Sequence, residues 1–183
     1  MIESLAATLA AAHPLSVGVL ALVTLQRLAE LVVARRNTRA LLARGAVEVA
    51  PGHYPAIVGL HAAWLLGLWL LAPAREPSLL LLAVFALLQI GRLWVLASLG
   101  ERWTTRILIL PGAPLVRSGP YRYVAHPNYI VVAGEILVLP LAFGLMAFAL
   151  IFTVLNAAAL WVRLRAENAA LRAAPAAAQD VSP

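Results

Sequence analysis

Five apolar stretches constrain the fold of this chain more than any other feature. They run from about Leu15 to Ala34, from about Tyr54 to Ala72 and from about Ser78 to Leu99, and two more share Asn128 to Leu164 with a break near Gly144. About 20 apolar residues are enough for a helix to cross the hydrocarbon core of a bilayer. Only helices and closed barrels satisfy every backbone polar group in lipid, so each stretch is predicted to be helical.

The composition agrees with a membrane location. Of the 183 residues, 63% are hydrophobic and 12% are charged, whereas soluble domains average about 25% charged residues. One small soluble domain cannot bury so much apolar surface in its own interior. We therefore predict an all-α, polytopic membrane protein with about five transmembrane helices. Residues 1–172 are expected to form one domain, and the Ala- and Pro-rich residues 173–183 a disordered tail.

The arginines predict the orientation of these helices. All 14 basic residues are Arg, and they cluster after the first, third and fifth stretches. In a five-span arrangement all three clusters fall on one side, which the positive-inside rule assigns to the cytoplasm, with the N-terminus outside and the C-terminus cytoplasmic. A four-span arrangement would separate them. The net charge of +6 is therefore interpreted as an orientation signal, and no nucleic-acid partner is predicted.

Several ionisable residues lie inside the predicted spans, where they are costly and often functional. Arg27 and Glu30 are three residues apart and can pair on one helical face. Arg92 is expected to snorkel towards the cytoplasmic side, and His61 to be hydrogen-bonded to a neighbour. Glu135 has no basic residue nearby on its own helix, so its partner is either Arg92 or a bound ligand.

A polar segment, residues 101–126, connects the third and fourth stretches. Its Thr- and Ile-rich part from Thr104 to Leu110, followed by Pro111-Gly112, predicts a short hairpin at the membrane surface. Its end carries a dense polar cluster from Ser118 to Tyr129, in which His126-Pro127 opens the fourth helix. A helix N-terminus there favours an anionic group such as a carboxylate, although an interfacial aromatic belt explains the composition equally well.

A second polar cluster, from Arg163 to Asn168, lies at the end of the fifth stretch. Arg163 and Glu167 are four residues apart and share a helical face, which is also the pattern of a weak surface ion pair. The chain has no Cys and four scattered His. Thiol chemistry is thereby excluded, and no metal site is predicted.

Together the two clusters resemble the isoprenylcysteine carboxyl methyltransferase family of membrane enzymes. The resemblance covers mainly Leu115 to Leu171 and rests on Gly119-Pro120-Tyr121, on His126-Pro127-Asn128-Tyr129, and on Arg163 followed by Glu167. The first half resembles a small bacterial subgroup, some of whose members resemble methyltransferases of alkylpyrones. The resemblance implies a bacterial cytoplasmic membrane protein whose cofactor motifs are concentrated in residues 113–171.

The same resemblance implies S-adenosylmethionine as methyl donor and a lipophilic acceptor that enters from the bilayer. The resemblance implies that Arg163 faces the acceptor. An enol or phenol acceptor needs a base as well, and His126 and Glu135 are the candidate catalytic residues for that role. A carboxylate acceptor would need no base. The implied cofactor-binding residues are Leu115, Val116, Tyr121, Arg122, His126, Pro127, Asn128, Tyr129 and Glu167.

Two positions depart from the family pattern. Ala125 stands where the family has Arg before the His, so Arg122 is expected to substitute for the missing charge. Asn168 stands where a second acidic residue is common. Two other functions stay open at this point: a small polytopic reductase that uses a nicotinamide cofactor, and a membrane scaffold without catalytic activity. A small lipid or polyketide is the expected acceptor, and phospholipid amines are an alternative.

Overall fold

A computed structural model describes residues 12–173 of the chain. In this part, five α-helices follow one another: α1 Pro14–Ala43, α2 Tyr54–Leu71, α3 Leu79–Leu99, α4 Pro127–Ala142 and α5 Met146–Ala173. Four of them, α1, α2, α3 and α5, are long and apolar enough to cross a membrane. The predicted all-α, polytopic membrane fold with five helices is confirmed.

Proline, serine and glycine mark the helix boundaries. Pro14 and Pro127 occupy the first turns of α1 and α4, where a missing N–H costs nothing. Ser78 accepts a hydrogen bond from the Leu81 amide at the start of α3. Gly144 takes a φ of +68° and lets the chain reverse between α4 and α5. The break predicted near Gly144 is thus confirmed.

Helix α4 lies at the centre of the bundle and packs against both α3 and α5. It has 16 residues and is therefore about 24 Å long, which is shorter than the hydrocarbon core of about 30 Å. Because α5 has 28 residues and runs antiparallel to α4, it extends well beyond the start of α4. The first turn of α4 consequently lies beside the region of α5 that contains Arg163 and Glu167.

The prediction that the segment from Thr104 to Gly112 forms a hairpin of its own was wrong. A short strand, β2 Leu108–Ile109, does form, but it pairs antiparallel with β1 Val47–Glu48 from the connection between α1 and α2. Arg106 strengthens the link by donating to Glu48 at 2.8 Å. Two-residue strands carry no periodic signal, so tertiary packing selects their partner. The connections 44–53 and 100–126 are thereby joined into one cap over the bundle. The cap contains Arg44, Arg102, Arg106, Arg117 and Arg122.

The apolar core lies on the side of the bundle away from this cap. It is formed by residues from all five helices and the α4–α5 turn, including Leu20, Leu68, Phe85, Ile136 and Phe143. Helix α1 extends to Ala43, past the predicted end at Ala34, because Ala, Arg and Leu continue the helix beyond the apolar stretch. Helix α5 continues to Ala173, and residues 174–183 of the predicted disordered tail lie outside the described residues.

We propose that the Arg-rich cap faces the cytoplasm, and single cysteines test this because the chain has none of its own. Glu76 and Arg39 are both exposed and lie at opposite ends of the bundle. A membrane-impermeant maleimide should label Glu76→Cys in intact spheroplasts, and Arg39→Cys only after the membrane is permeabilised. The reverse labelling pattern would contradict the proposed orientation.

Candidate active site

A buried network of ion pairs links α1, α3 and α4 directly below the cap. Arg92 of α3 donates to both oxygens of Glu30, at 2.6 and 2.8 Å, and to Glu135 at 2.7 Å. Arg27 donates to Glu30 at 2.8 Å and to Glu135 at 2.9 Å. These four residues, which we call the ion quartet, carry two positive and two negative charges, so the group is neutral as a whole.

The ion quartet confirms the pairing of Arg27 with Glu30 and shows that Arg92 is a partner of Glu135. It corrects the expectation that Arg92 snorkels. Arg92 does not snorkel towards the membrane surface, because its guanidinium is buried between two carboxylates. Glu135 also accepts a hydrogen bond from Gln89 at 2.8 Å and lines neither of the cavities described below. The structure therefore places this candidate base in an ion pair, and favours a structural role for it.

A large cavity of about 780 Å³ opens between the cap and the ends of α4 and α5. It brings together seven of the nine residues implied as cofactor-binding, namely Leu115, Val116, Tyr121, His126, Asn128, Tyr129 and Glu167. The other two do not line it: Pro127 is buried in the first turn of α4, and Arg122 is exposed. The expectation that Arg122 replaces the missing charge at position 125 is therefore not supported.

Side chains from the cap also line this large cavity, and the sequence reasoning missed them. The walls include Trp103 and Thr104, together with the basic residues Arg102, Arg106 and Arg117. Their contribution follows from the β1–β2 pairing, which folds the α3–α4 connection over the cavity. The Arg-rich character of the connection was the one signal in the sequence that could have indicated this.

Four polar side chains meet at the inner wall of the large cavity. The Tyr129 hydroxyl donates to Glu167 and accepts a hydrogen bond from Arg163 Nε at 3.0 Å. Arg163 also donates to the Thr105 carbonyl at 2.7 Å. The His126 ring stacks on Tyr129, with centroids 5.1 Å apart, and its Nδ1 lies 3.9 Å from Glu167. Arg163 and Glu167 are thus joined through Tyr129 and do not form a simple surface pair.

The turn formed by Gly119, Pro120 and Tyr121 is held against α3. Gly119 has a φ of +58°, and a Cβ atom there would collide with the Ser98 side chain. Only glycine fits both constraints. Burial, and secondly the negative charge of Glu167, raise the pKa of Tyr121 to about 12. Its phenol therefore stays protonated at neutral pH and can act as a hydrogen-bond donor.

A smaller cavity of about 320 Å³ lies deeper in the bundle. Its walls are mostly apolar side chains of α1, α2, α4 and α5, such as Leu31, Ile57, Leu65, Val132 and Leu160. The two cavities share five wall residues: Trp103, Thr104, Asn128, Tyr129 and Arg163. A large cavity under the cap, whose wall includes several arginines, and a smaller, mostly apolar cavity among the helices therefore meet at the first turn of α4.

Comparison with known proteins identifies the family to which the chain belongs. The model of the isoprenylcysteine carboxyl methyltransferase family matches residues 79–173, which include α3, α4, α5 and the connection between α3 and α4. The chain belongs to this family. It is therefore a multi-pass membrane protein of a methyltransferase family, as the resemblance of its two polar clusters indicated.

Two curated relatives carry no functional description. The uncharacterized protein YpbQ of Bacillus subtilis (strain 168) is 42% identical over 158 residues, which cover 84% of this chain and 94% of that protein. An uncharacterized protein of Haemophilus influenzae is 29% identical over 112 residues, which cover 57% of this chain and 64% of that protein. No solved structure matches the chain.

The ion quartet generates a prediction about stability. Glu135→Gln removes one of its two negative charges and leaves two buried guanidinium groups with one carboxylate. Breaking a buried ion pair in this way costs about 3–5 kcal/mol, so thermal unfolding of the variant in nanodiscs should occur at a clearly lower temperature.

Two further variants serve as controls for this prediction. Glu101→Gln affects an exposed pair with Arg44 and should leave the unfolding temperature unchanged. The double variant Arg27→Gln/Glu135→Gln restores charge balance and should regain part of the loss. A Glu135→Gln protein as stable as the wild type would show that the quartet does not hold the helices together.

Proposed function

We propose that the protein is an S-adenosylmethionine-dependent O-methyltransferase whose acceptor is a lipophilic molecule dissolved in the membrane. The single observation that carries this proposal is the junction of the two cavities at Asn128, Tyr129 and Arg163. S-adenosylmethionine is water-soluble, whereas the body of a lipid acceptor is apolar. A cavity under the cap with arginines in its wall, and a mostly apolar cavity among the helices that meets it, suit a reaction between two such molecules.

The residues of the large cavity fit the proposed donor. Its volume lies within the range of about 300–1,000 Å³ that is usual for ligand pockets. The donor has a sulfonium and an ammonium group, which the Glu167 carboxylate can balance, and a carboxylate, which Arg102, Arg106 or Arg117 can reach from the cap. The Asn128 side-chain oxygen is buried and has no hydrogen-bond partner within residues 12–173. An unpaired acceptor at the junction is available to a bound cofactor.

When bound, S-adenosylmethionine supplies an activated methyl group, whose bond to sulfur breaks as a bond to the acceptor oxygen forms. The protein mainly has to position the two molecules in line and keep water out. Arg163 lines both cavities where they meet, and it can hold a negatively charged acceptor oxygen. Its contacts with the Tyr129 hydroxyl and the Thr105 carbonyl fix the guanidinium in place.

The nature of the acceptor oxygen decides whether a base is needed. A carboxylate is already ionised at neutral pH and can be methylated without proton transfer. An enol or phenol, as in an alkylpyrone, has to lose a proton. His126 lines the large cavity next to Glu167. It is the better placed of the two candidate bases, because Glu135 is held in the ion quartet.

We further propose that the transmembrane methyltransferase domain comprises residues 1–172, and that the cofactor enters from the cytoplasm. Three of the four arginines that line the large cavity, Arg102, Arg106 and Arg117, belong to the cap, on the side that the positive-inside rule assigns to the cytoplasm. The acceptor would enter the small cavity sideways between helices.

Variants of Glu167 and Arg163 should separate cofactor binding from acceptor binding. Glu167→Gln removes the negative charge beside the proposed sulfonium. The Kd of sinefungin, which carries an amine in place of the sulfonium, should therefore rise more than that of S-adenosylhomocysteine, whose sulfur is neutral. The loss of a hydrogen bond to a charged group predicts about a 10- to 100-fold rise for sinefungin. Isothermal titration calorimetry on detergent-purified protein measures both values, with Glu101→Gln as the matched control.

Arg163→Gln should leave these Kd values nearly unchanged but reduce methyl transfer at least tenfold. The readout is the mass gain of one methyl group in a lipid extract of cells that express the chain. Arg165→Gln is the control, because Arg165 stacks on the exposed Trp161 and lines neither cavity. If the wild type bound NADPH but not S-adenosylhomocysteine, the reductase alternative would replace this proposal.

A further inference from the structure

The small cavity changes character at its inner end. Near the rim, the Tyr54 hydroxyl lies 3.1 Å from Thr105 Oγ1, and Arg163 contacts the carbonyl of the same threonine. His61 lines the cavity from α2, seven residues after Tyr54 and therefore about 10 Å further along the helix axis. Arg27, Glu30 and Arg92 line the same cavity from neighbouring helices. An apolar tail placed there would meet polar side chains deep in the bundle.

The ion quartet does not form a binding site for an anionic group of the acceptor. Its two arginines are matched by the carboxylates of Glu30 and Glu135. No net positive charge is left over in the quartet to attract an anion. Two other polar side chains line this end, Thr24 and His61. The Thr24 hydroxyl already donates to the Leu20 carbonyl and accepts from Trp69 Nε1, so we assign any additional recognition to His61.

His61 presents an unused hydrogen-bond acceptor to the cavity. Its Nδ1 lies 2.9 Å from the Ile57 carbonyl oxygen, and a carbonyl only accepts, so Nδ1 carries the proton. A charged imidazole is disfavoured among apolar walls, and the neutral ring has a lone pair on Nε2. Within residues 12–173, no protein group donates to this nitrogen.

We propose that His61 Nε2 accepts a hydrogen bond from a second polar group of the acceptor, a hydroxyl or N–H set into its apolar body. This inference rests on the proposed function, because it places the methylated oxygen at Arg163. The acceptor is then a lipid with a second polar group in its apolar part. We expect this group about 10 Å from the methylated oxygen. A pure hydrocarbon tail would leave Nε2 unpaired, and such a tail should bind less well.

Competition between two fatty acids tests the inference without knowledge of the natural acceptor. An equimolar mixture of 10-hydroxyoctadecanoic acid and octadecanoic acid is added to detergent-purified protein with S-adenosylhomocysteine, and native mass spectrometry measures the ratio of the two adducts. Both probes carry a carboxylate for Arg163, and they differ by one mid-chain oxygen. The wild type should favour the hydroxylated probe about 2- to 10-fold, as expected for one neutral hydrogen bond.

Variants of His61 identify the residue responsible. His61→Leu should reduce the adduct ratio to one or below, whereas His61→Gln, whose amide oxygen can accept, should retain a preference. The 3-hydroxy isomer, with its hydroxyl near the rim, should not be preferred over octadecanoic acid.

Three results would overturn the inference: a ratio of one in the wild type, a preference that persists in His61→Leu, or the absence of any fatty-acid adduct. The S-adenosylhomocysteine adduct is read in the same spectra. If it persists while one of these results is found, only the role of His61 fails. If it is absent as well, the proposed function fails with it.

Discussion

The ion quartet is the interaction on which the rest of this bundle depends. It joins α1, α3 and α4 through charges that are buried and balanced, and it lies between the apolar core and the site. Charged groups at this depth are costly unless each is paired, so the helices are held in the one arrangement that pairs them all. That arrangement places the first turn of α4 at the meeting point of two cavities. Three of the four, Arg27, Glu30 and Arg92, form part of the inner wall of the small cavity.

The short length of α4 turns this arrangement into a site. Because α4 begins at Pro127 while α5 continues to Ala173, the end of α5 stands beside an open space that the cap covers. Arg163 and Glu167 project from α5 at this level, and Tyr129 of α4 connects them. The β1–β2 pairing closes the space from above and brings arginines to its wall. The proposed cofactor site and the proposed acceptor site therefore share a wall, and direct methyl transfer between them needs no covalent catalyst.

Much of the fold could be predicted from the sequence, since in lipid an apolar stretch of sufficient length has to be helical. Particular residues show where this reasoning ends. Gly144 marked the helical hairpin because a positive φ favours glycine, whereas the partner of Leu108–Ile109 depended on contacts between distant segments. Arg27 and Glu30 were paired by their spacing on one helix. Arg92 was one of two partners considered for Glu135, but its burial between two carboxylates could not be predicted, because Glu30 and Glu135 come from other helices. Likewise, most of the motif residues from Leu115 to Tyr129, together with Glu167, do line the large cavity, as the resemblance predicted for a common site. The arginines of the cap that also line it were not predicted.

The central claim is that the two cavities meet where the methyl group is transferred. An experimental structure of the protein with bound S-adenosylhomocysteine tests this most directly. We expect the ligand in the large cavity, with its sulfur at the wall formed by Asn128, Tyr129 and Arg163 and facing the small cavity. A ligand whose sulfur points away from that wall, or one bound outside the large cavity, would contradict the account.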